Sequence, residues 1–425
     1  MTLARPGLRS VFLFFALLLF SSGCTRKEAE HSEVVFWAFG AEGEKVSQLM
    51  PEFARRYPGI NVRVQMIPWN AAHEKLLTAF AGNSLPDMCQ LGNTWIPEFR
   101  VLDALVELDS LVARSPTIHD SSYFPGIWET NRLESHLYGI PWYVDTRVLF
   151  YRSDLAAAAG YARPPSSWEE WFDLCSRLKQ RSPENFAIFL PTNIEWPPPV
   201  ILGLQKGSPL LKENNTRGDF SGPEFVSAMH SFVDFFKNGW APVKTGQIVS
   251  VYQSFGEGFF AMYITGPWNI GEFSRRLPVS LRESWATAPL PGPDGGVGVS
   301  LAGGSSLVMF RSSAHKQEVW KVIEFLSEKE QQLGLYRLTG DLPARVEAWD
   351  DTALAHNKYT AAFFTQLKYV TPTPKIPEWE QIAQKVREYS ELISTGHFTV
   401  EDGMARLDRE VNLILEKRRW LLYGQ

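Results

Sequence analysis

The sequence predicts an α/β fold, mainly parallel sheet with flanking helices, and three observations carry that reading. From residue 33 onward, runs of β-branched and aromatic residues alternate with helical stretches, the strand–helix–strand rhythm of a parallel sheet. The chain has 425 residues, enough for two or three domains or one large two-lobed body. Its composition, 44% hydrophobic and 21% charged, is that of a packed globular protein and excludes global disorder and collagen-like architecture. A formal net charge of -5 leaves no basic footprint for a nucleic acid.

The first residues are a targeting segment. Arg5 and Arg9 precede an apolar run, Val11–Phe20, followed by Ser21-Ser22-Gly23-Cys24. That is the layout of a secretory signal, residues 1–23, and the run is too short to cross a bilayer as a ~20-residue helix. Ser21–Cys24 is similar to a bacterial lipobox, with Ser21 where Leu is usual. The similarity implies lipidation of Cys24, with plain cleavage nearby as the alternative. Residues 24–32 read as a short polar tether.

The elements follow in order. Glu33–Phe39 (EVVFWAF) is a strand. Gly40–Gly43 leads into a helix with Val46, Leu49, Met50 and Phe53 at i, i+3, i+4, i+7, stopped by Tyr57-Pro58-Gly59. Val62–Ile67 is the second strand, Glu74–Ala81 lies in a helix, and Asp87–Leu91 is the third strand. Ser167, Ser221 and Ser327 each stand three residues before a Glu, the spacing of a capping box. Trp168, Trp171, Phe172, Cys175 and Leu178 share one helical face and read as core. Phe225, Met229, Phe232 and Phe236 point inward on the next long helix, with Gly239 as its stop. Met404, Leu407, Val411, Ile414 and Leu415 mark a C-terminal helix. Ala288–Gly298 and Thr371–Pro377 are turn-rich crossovers or loops. Cys89 in a strand and Cys175 on an apolar face read as buried free thiols.

Catalytic signatures are missing. The sequence has no G-x-G-x-x-G, P-loop, H-E-x-x-H or G-x-S-x-G. Its eight His residues have no zinc spacing, so neither metal nor cofactor is expected. Carboxylates are plentiful, which leaves a glycosidase-like pair open. The positive signal is the placement of the 15 Trp residues. Trp37 ends the first strand, Trp69 follows the second, and Trp95 follows the third in Gly92-Asn93-Thr94-Trp95. Ligands of open parallel sheets bind beyond the carboxyl ends of the strands. Later loops repeat the theme. Tyr138–Arg147 carries Trp142, Tyr143, Asp145 and Arg147. Trp196 stands in Glu195-Trp196-Pro197, Trp268 in Gly266-Pro267-Trp268-Asn269, and Glu378-Trp379 follows Pro377. Gly304 and Ser305 offer backbone N–H groups with little in the way. Each ring has a plain alternative as a plug for a turn. Together they supply flat apolar faces beside Asp, Arg, Asn and Glu. A pyranose needs that combination: its C–H face packs on an aromatic ring and its hydroxyls take planar, charge-assisted hydrogen bonds.

At this point the chain resembles the extracellular solute-binding proteins (family 1) of ABC importers, the group that includes maltose- and trehalose-binding proteins. The matching pieces are Val34–Phe39, Phe53–Val62 (FARRYPGINV), Leu85–Phe99 (LPDMCQLGNTWIPEF), Tyr138–Tyr151 (YGIPWYVDTRVLFY), Pro165–Phe172, Gly256–Trp268 (GEGFFAMYITGPW), Gly303–Leu307, Ala314–Leu326 and Thr339–Arg345 (TGDLPAR). Their order and spacing carry the match. The resemblance implies a two-lobed, periplasmic-binding-protein-like (type II) fold. Its lobes are discontinuous and joined by a hinge: residues 33–144 and 290–338 in one, 145–289 and 339–425 in the other. Cys89 and Cys175 then fall in different lobes. It also implies a non-enzymatic, exported receptor, a monomer anchored through Cys24, that hands a carbohydrate to an ABC permease by cleft closure. Expected stacking rings are Trp37, Trp69, Trp95, Trp142, Tyr143, Trp196, Trp268 and Trp379. Expected polar contacts are Glu42, Asn93, Asp145, Arg147, Gly304, Ser305 and Glu378. Asn93 departs from the Asp that sugar binders of this group often carry. The alternatives are a receptor for a non-sugar solute, such as a phosphodiester or polyamine, and a carbohydrate-active enzyme.

Overall fold

The structure is a computed structural model that describes Thr2, residues 32–246 and residues 248–424. The signal, Cys24 and the tether up to residue 31 lie outside the described residues. Twelve strands matter for the site: β1 (Ser32–Phe39), β2 (Ile60–Ile67), β3 (Met88–Gly92), β4 (Ile140–Asp145), β5 (Val148–Tyr151), β6 (Phe186–Phe189), β7 (Phe260–Thr265), β8 (Ala286–Ala288), β9 (Ser300–Leu301), β10 (Gly303–Met309), β11 (Leu342–Pro343) and β12 (Val370–Thr371). A six-stranded sheet runs β11-β4-β10-β3-β1-β2, and a four-stranded sheet runs β8-β5-β7-β6. Each is the floor of one lobe. Both sheets are mixed. The opening strand–helix–strand units make β1 parallel to β2 and β3, and β6 is parallel to β7. Where the chain crosses between lobes it returns antiparallel, as β10 does against β3 and β4 and β5 against β7 and β8.

Chain crossings define the hinge. Thr146-Arg147 joins β4 to β5, and β9 pairs parallel with β12 in a separate two-stranded strip. Leu342–Pro343 pairs with Tyr143 and Val144 of β4, so the first-lobe sheet extends past the expected boundary at residue 338.

The helices that matter are α1 (Gly40–Lys45), α2 (Met50–Arg56), α3 (Trp69–Ala81), α4 (Trp168–Lys179), α5 (Pro197–Gln205), α6 (Pro223–Lys237), α7 (Trp268–Arg276), α8 (Lys316–Leu326), α9 (Lys329–Thr339), α10 (Trp379–Ser394), α11 (Val400–Ile414) and α12 (Glu416–Tyr423). Local chemistry explains where they depart from the sequence reading. The single helix expected after β1 is split, because Pro51 has no N–H to continue the ladder and instead opens α2. α3 starts five residues earlier than expected, directly after Pro68, which puts Trp69 at the mouth of β2. Of the three expected capping boxes, only Ser167 caps its helix, accepting from the Glu170 N–H at 3.2 Å. Glu170 then turns back to the Ser166 N–H, not to that of Ser167. Ser221 instead donates its hydroxyl to Asp408 of α11, and α6 opens at Pro223. Ser327 still donates its N–H to Ile323 and so ends α8. The C-terminal helical pattern is broken at Leu415 into α11 and α12.

The cores follow the helical faces. Trp168, Trp171, Cys175, Phe225, Phe232, Met404 and Leu407 are buried together in the second lobe. Cys89 is buried in the first. Both cysteines are free thiols, and burial pushes both thiols well above their usual range, which keeps them inert.

Candidate functional site

A cavity of about 870 Å³ opens between the lobes. Its first wall starts at the end of β1, where Gly40 turns the chain with φ +53°. The indole of Trp69 packs on this turn, and a Cβ at Gly40 would lie 2.5 Å from its Cδ1, so only glycine admits the ring there. Trp69 also meets Phe39 edge-on at 5.2 Å and Trp95 at 5.7 Å. Edge-to-face packing of this kind holds rings at fixed angles. Behind Trp95 stands His73, 4.9 Å away and bonded to Glu98 at 2.6 Å. The Glu98 bond raises the His73 pKa against the opposing effect of burial. Trp69 and Trp95 are therefore a braced aromatic wall.

The floor is polar and mostly satisfied. Tyr143 of β4 accepts from Gln90 Nε2 and from Ser305 Oγ, each at 3.0 Å, while Gln90 Oε1 accepts from the Phe39 N–H at 2.7 Å. Burial, and then the nearby Glu42 and Asp341, push the Tyr143 phenol well above its usual range, so it stays neutral. Asn93 donates its Nδ2 to the Ala302 carbonyl at 3.0 Å. An ionised carboxylate at this position would have no proton to donate to that carbonyl. Gly303 and Gly304 let β10 press onto β4. A Cβ on Gly304 would lie 2.3 Å from the Tyr143 carbonyl, and its φ is +134°. The ladder shifts register between Ser305 and Ser306, leaving this backbone edge facing the cavity.

The second wall begins at the crossover. Arg147 Nη1 holds Asp145 at 2.6 Å, Glu195 lies 4.0 Å from Nη2, and the guanidinium sits 4.6 Å above the Trp268 ring. Burial works against its charge, but Asp145 and then Glu195 more than offset that and raise the Arg147 pKa. Trp268 opens α7 and is 41% exposed. Its ring lies against Gly266, where a Cβ would stand 1.8 Å away. Gly266→Ala is therefore expected to swing the indole out of place and weaken ligand binding about as much as losing the ring, with a small change in thermal midpoint. Ligand titration and a melting curve of this variant check that. Trp196, just before α5, also faces the cavity and meets Trp379 edge-on at 5.7 Å.

Eleven of the fifteen expected ligand residues line this cavity: Glu42, Trp69, Asn93, Trp95, Tyr143, Asp145, Arg147, Trp196, Trp268, Gly304 and Ser305. Four do not. β1 continues to Phe39, so Trp37 sits inside the strand and packs beneath α3, where Lys75 caps its ring at 4.8 Å. Trp142 neighbours Tyr143 on β4, and adjacent strand residues face opposite ways; it is wholly buried, edge-on to Phe36 at 5.9 Å. Trp379 is wholly buried and acts as the backing of Trp196. Glu378 faces Arg418 at 3.7 Å, away from the cavity.

Sequence reasoning passed over Tyr252, Glu272, Arg276, Thr339 and Asp341, which also line the cavity. Two were legible: Glu272 and Arg276 follow Trp268 by four and eight residues on α7 and so share its face. Asp341 lies in the quoted TGDLPAR stretch but had no pattern of its own. Among the described residues no His, Cys, Asp and Glu group has metal-binding geometry, and no helix is long and apolar enough to cross a membrane.

Comparison with known proteins gives this architecture its family. The family model described as "Bacterial extracellular solute-binding protein" matches residues 40–333. The chain belongs to that family. The structure of the sugar-binding protein MalE from the phytopathogen Xanthomonas citri is 44% identical, covers 93% of this chain and 100% of its own, and superposes with a TM-score of 0.90. The galactooligosaccharide-binding protein of Bacillus subtilis is 24% identical over 91% of this chain and 92% of its own length. The diacetylchitobiose binding protein DasA of Streptomyces coelicolor is 23% identical over 84% of each chain. Family members bind solutes and are not enzymes, and as its description says they work outside the cytoplasm. The two-lobed architecture with a cleft is theirs as well.

Proposed function

We propose that this protein is the carbohydrate receptor of an ABC importer, taking a mono- or oligosaccharide into the interlobe cavity and presenting it to the permease. One observation carries the reading: both walls of the cavity offer an indole face next to charged hydrogen-bonding groups. Trp69 and Trp95 stand with Glu42 on one side, Trp268 with Arg147 and Asp145 on the other. A sugar's two faces and its ring of hydroxyls match that arrangement, and the relatives named above are sugar-binding proteins. Because the ligand touches both lobes together only when they are close, binding shifts the population toward the closed form. Thr94 of the first lobe already donates its hydroxyl to Glu380 of α10 at the rim, a contact that closure would retain. Lipidation at Cys24 would hold the receptor at the membrane surface beside its permease.

Titration calorimetry with tryptophan fluorescence, across glucose, maltose, trehalose, maltotetraose and galactobiose, tests the ligand class. Saturable one-to-one binding of a saccharide with a fluorescence change is the expected result. Binding of spermidine or glycerophosphocholine and of no saccharide would replace the ligand class while leaving the fold.

A further inference from the structure

Two of the cavity's acidic groups, Glu42 and Asp341, have no cation beside them. Glu42, in the first turn of α1, is only 5% exposed, and neither it nor Asp341 forms an ion pair with any Lys or Arg among the described residues. Asp341 stands two residues past the end of α9, and its Oδ2 is buried with no hydrogen-bond partner. Both residues line the cavity. The groups facing Asp341 come from three elements: Glu42 from α1, Tyr143 and Asp145 from β4, and Thr339 from the end of α9. Of these, Thr339 accepts from the Asp341 backbone N–H and spends its own proton on the Leu335 carbonyl, while Glu42 and Asp145 are acidic. The arginines of the cavity are engaged elsewhere, Arg147 with Asp145 and Glu195 and Arg276 with Glu272.

Two carboxyls that share one partly enclosed site without a cation do not ionise together without large repulsion. Burial first, and then Glu42, push the Asp341 carboxyl well above its ordinary range.

We infer that Asp341 keeps its proton beside Glu42, so that the two carboxyls form a binding element that offers a ligand hydroxyl both a donor and an acceptor and links ligand binding to proton uptake. This rests on the saccharide reading for its ligand, though not for the pair itself. A singly protonated pair suits a neutral polyol: one oxygen accepts from a sugar hydroxyl while the Asp341 proton is donated to another. Closing the lobes excludes water and makes a doubly ionised pair costlier still. Binding above the pair's titration must therefore take up a proton, and affinity must fall there by up to about tenfold per pH unit.

The sign for stability follows from the raised carboxyl. Below the ordinary carboxylate range Asp341 is protonated in both folded and unfolded chains, so its ionisation has no effect on stability. As pH rises, the unfolded chain loses the proton first and the folded protein becomes less stable, until the folded pKa is passed.

Two measurements on the full chain test the pair. The first needs no ligand: melting curves of wild type and Asp341→Asn from pH 4 to pH 8. The variant is expected to match wild type near pH 4 and to exceed it by about 2 °C or more at pH 8; a constant difference across that range overturns the pair. The second is calorimetry with maltose and maltotetraose in buffers of different ionisation enthalpy. Proton uptake that grows as pH rises is expected for wild type and is lost in both Asp341→Asn and Glu42→Gln. Equal uptake in the variants, or a wild-type affinity flat from pH 5 to pH 9, overturns the linkage. If the melting gap opens as expected and neither sugar binds, the pair stands and the saccharide reading falls.

Discussion

Trp268→Ala is expected to weaken saccharide binding by roughly 30- to 150-fold, or about 2–3 kcal/mol, while barely changing stability. The ring projects into the cavity with 41% of its surface exposed. Arg147 covers it from one side at 4.6 Å, which fixes its plane and leaves apolar area for a ligand. An indole held in this way pays little entropy on binding and buries a large flat face. The folded protein without ligand loses the packing on Gly266 and the cation–π contact, the latter about 0.5–1 kcal/mol. Calorimetry and a denaturant titration of the same preparation separate the two effects. Binding within twofold of wild type would remove Trp268 from the ligand's path.

The second large effect has the opposite signature. Trp379→Ala is expected to destabilise the protein by about 3–5 kcal/mol, the usual result of emptying a large buried site. Trp379 is wholly buried in the second lobe among Ile376, Ile382, Ala383 and Val386, and it meets the ligand only through Trp196. Any loss of affinity should be smaller than for Trp268→Ala and should track the freedom given to Trp196. A variant of wild-type stability that had lost binding would return Trp379 to the list of ligand contacts.

These two rings show what the sequence could and could not say about the site. Both follow a proline near a turn, and on composition alone they are alike. They are separated by what lies around them. Trp268 leans on Gly266, which has no side chain to bury it, whereas Trp379 begins a helix whose apolar face turns into the core. Trp142 and Tyr143 teach the same lesson for a strand. Alternation says that one faces the core and one the cavity, but which is which depends on the register of β4 against β10, a pairing of segments about 160 residues apart. The opening strand–helix–strand pattern was legible because period and turn residues are local. The mixed strand directions were not, since they depend on where the chain crosses between lobes. Asp341 was missed for a related reason. Its significance comes from Glu42, which β11 and α1 bring to it across three hundred residues of chain, and no local spacing records that.

A crystal structure of the protein with the saccharide that binds most tightly tests the interlobe site outright. The sugar is expected between the lobes, with a pyranose face on Trp268, hydroxyls on Asp145 and on the Glu42–Asp341 pair, and the Trp69–Trp95 wall closing the other side. A sugar bound outside this cavity, or contacting one lobe only with both walls left empty, would contradict it.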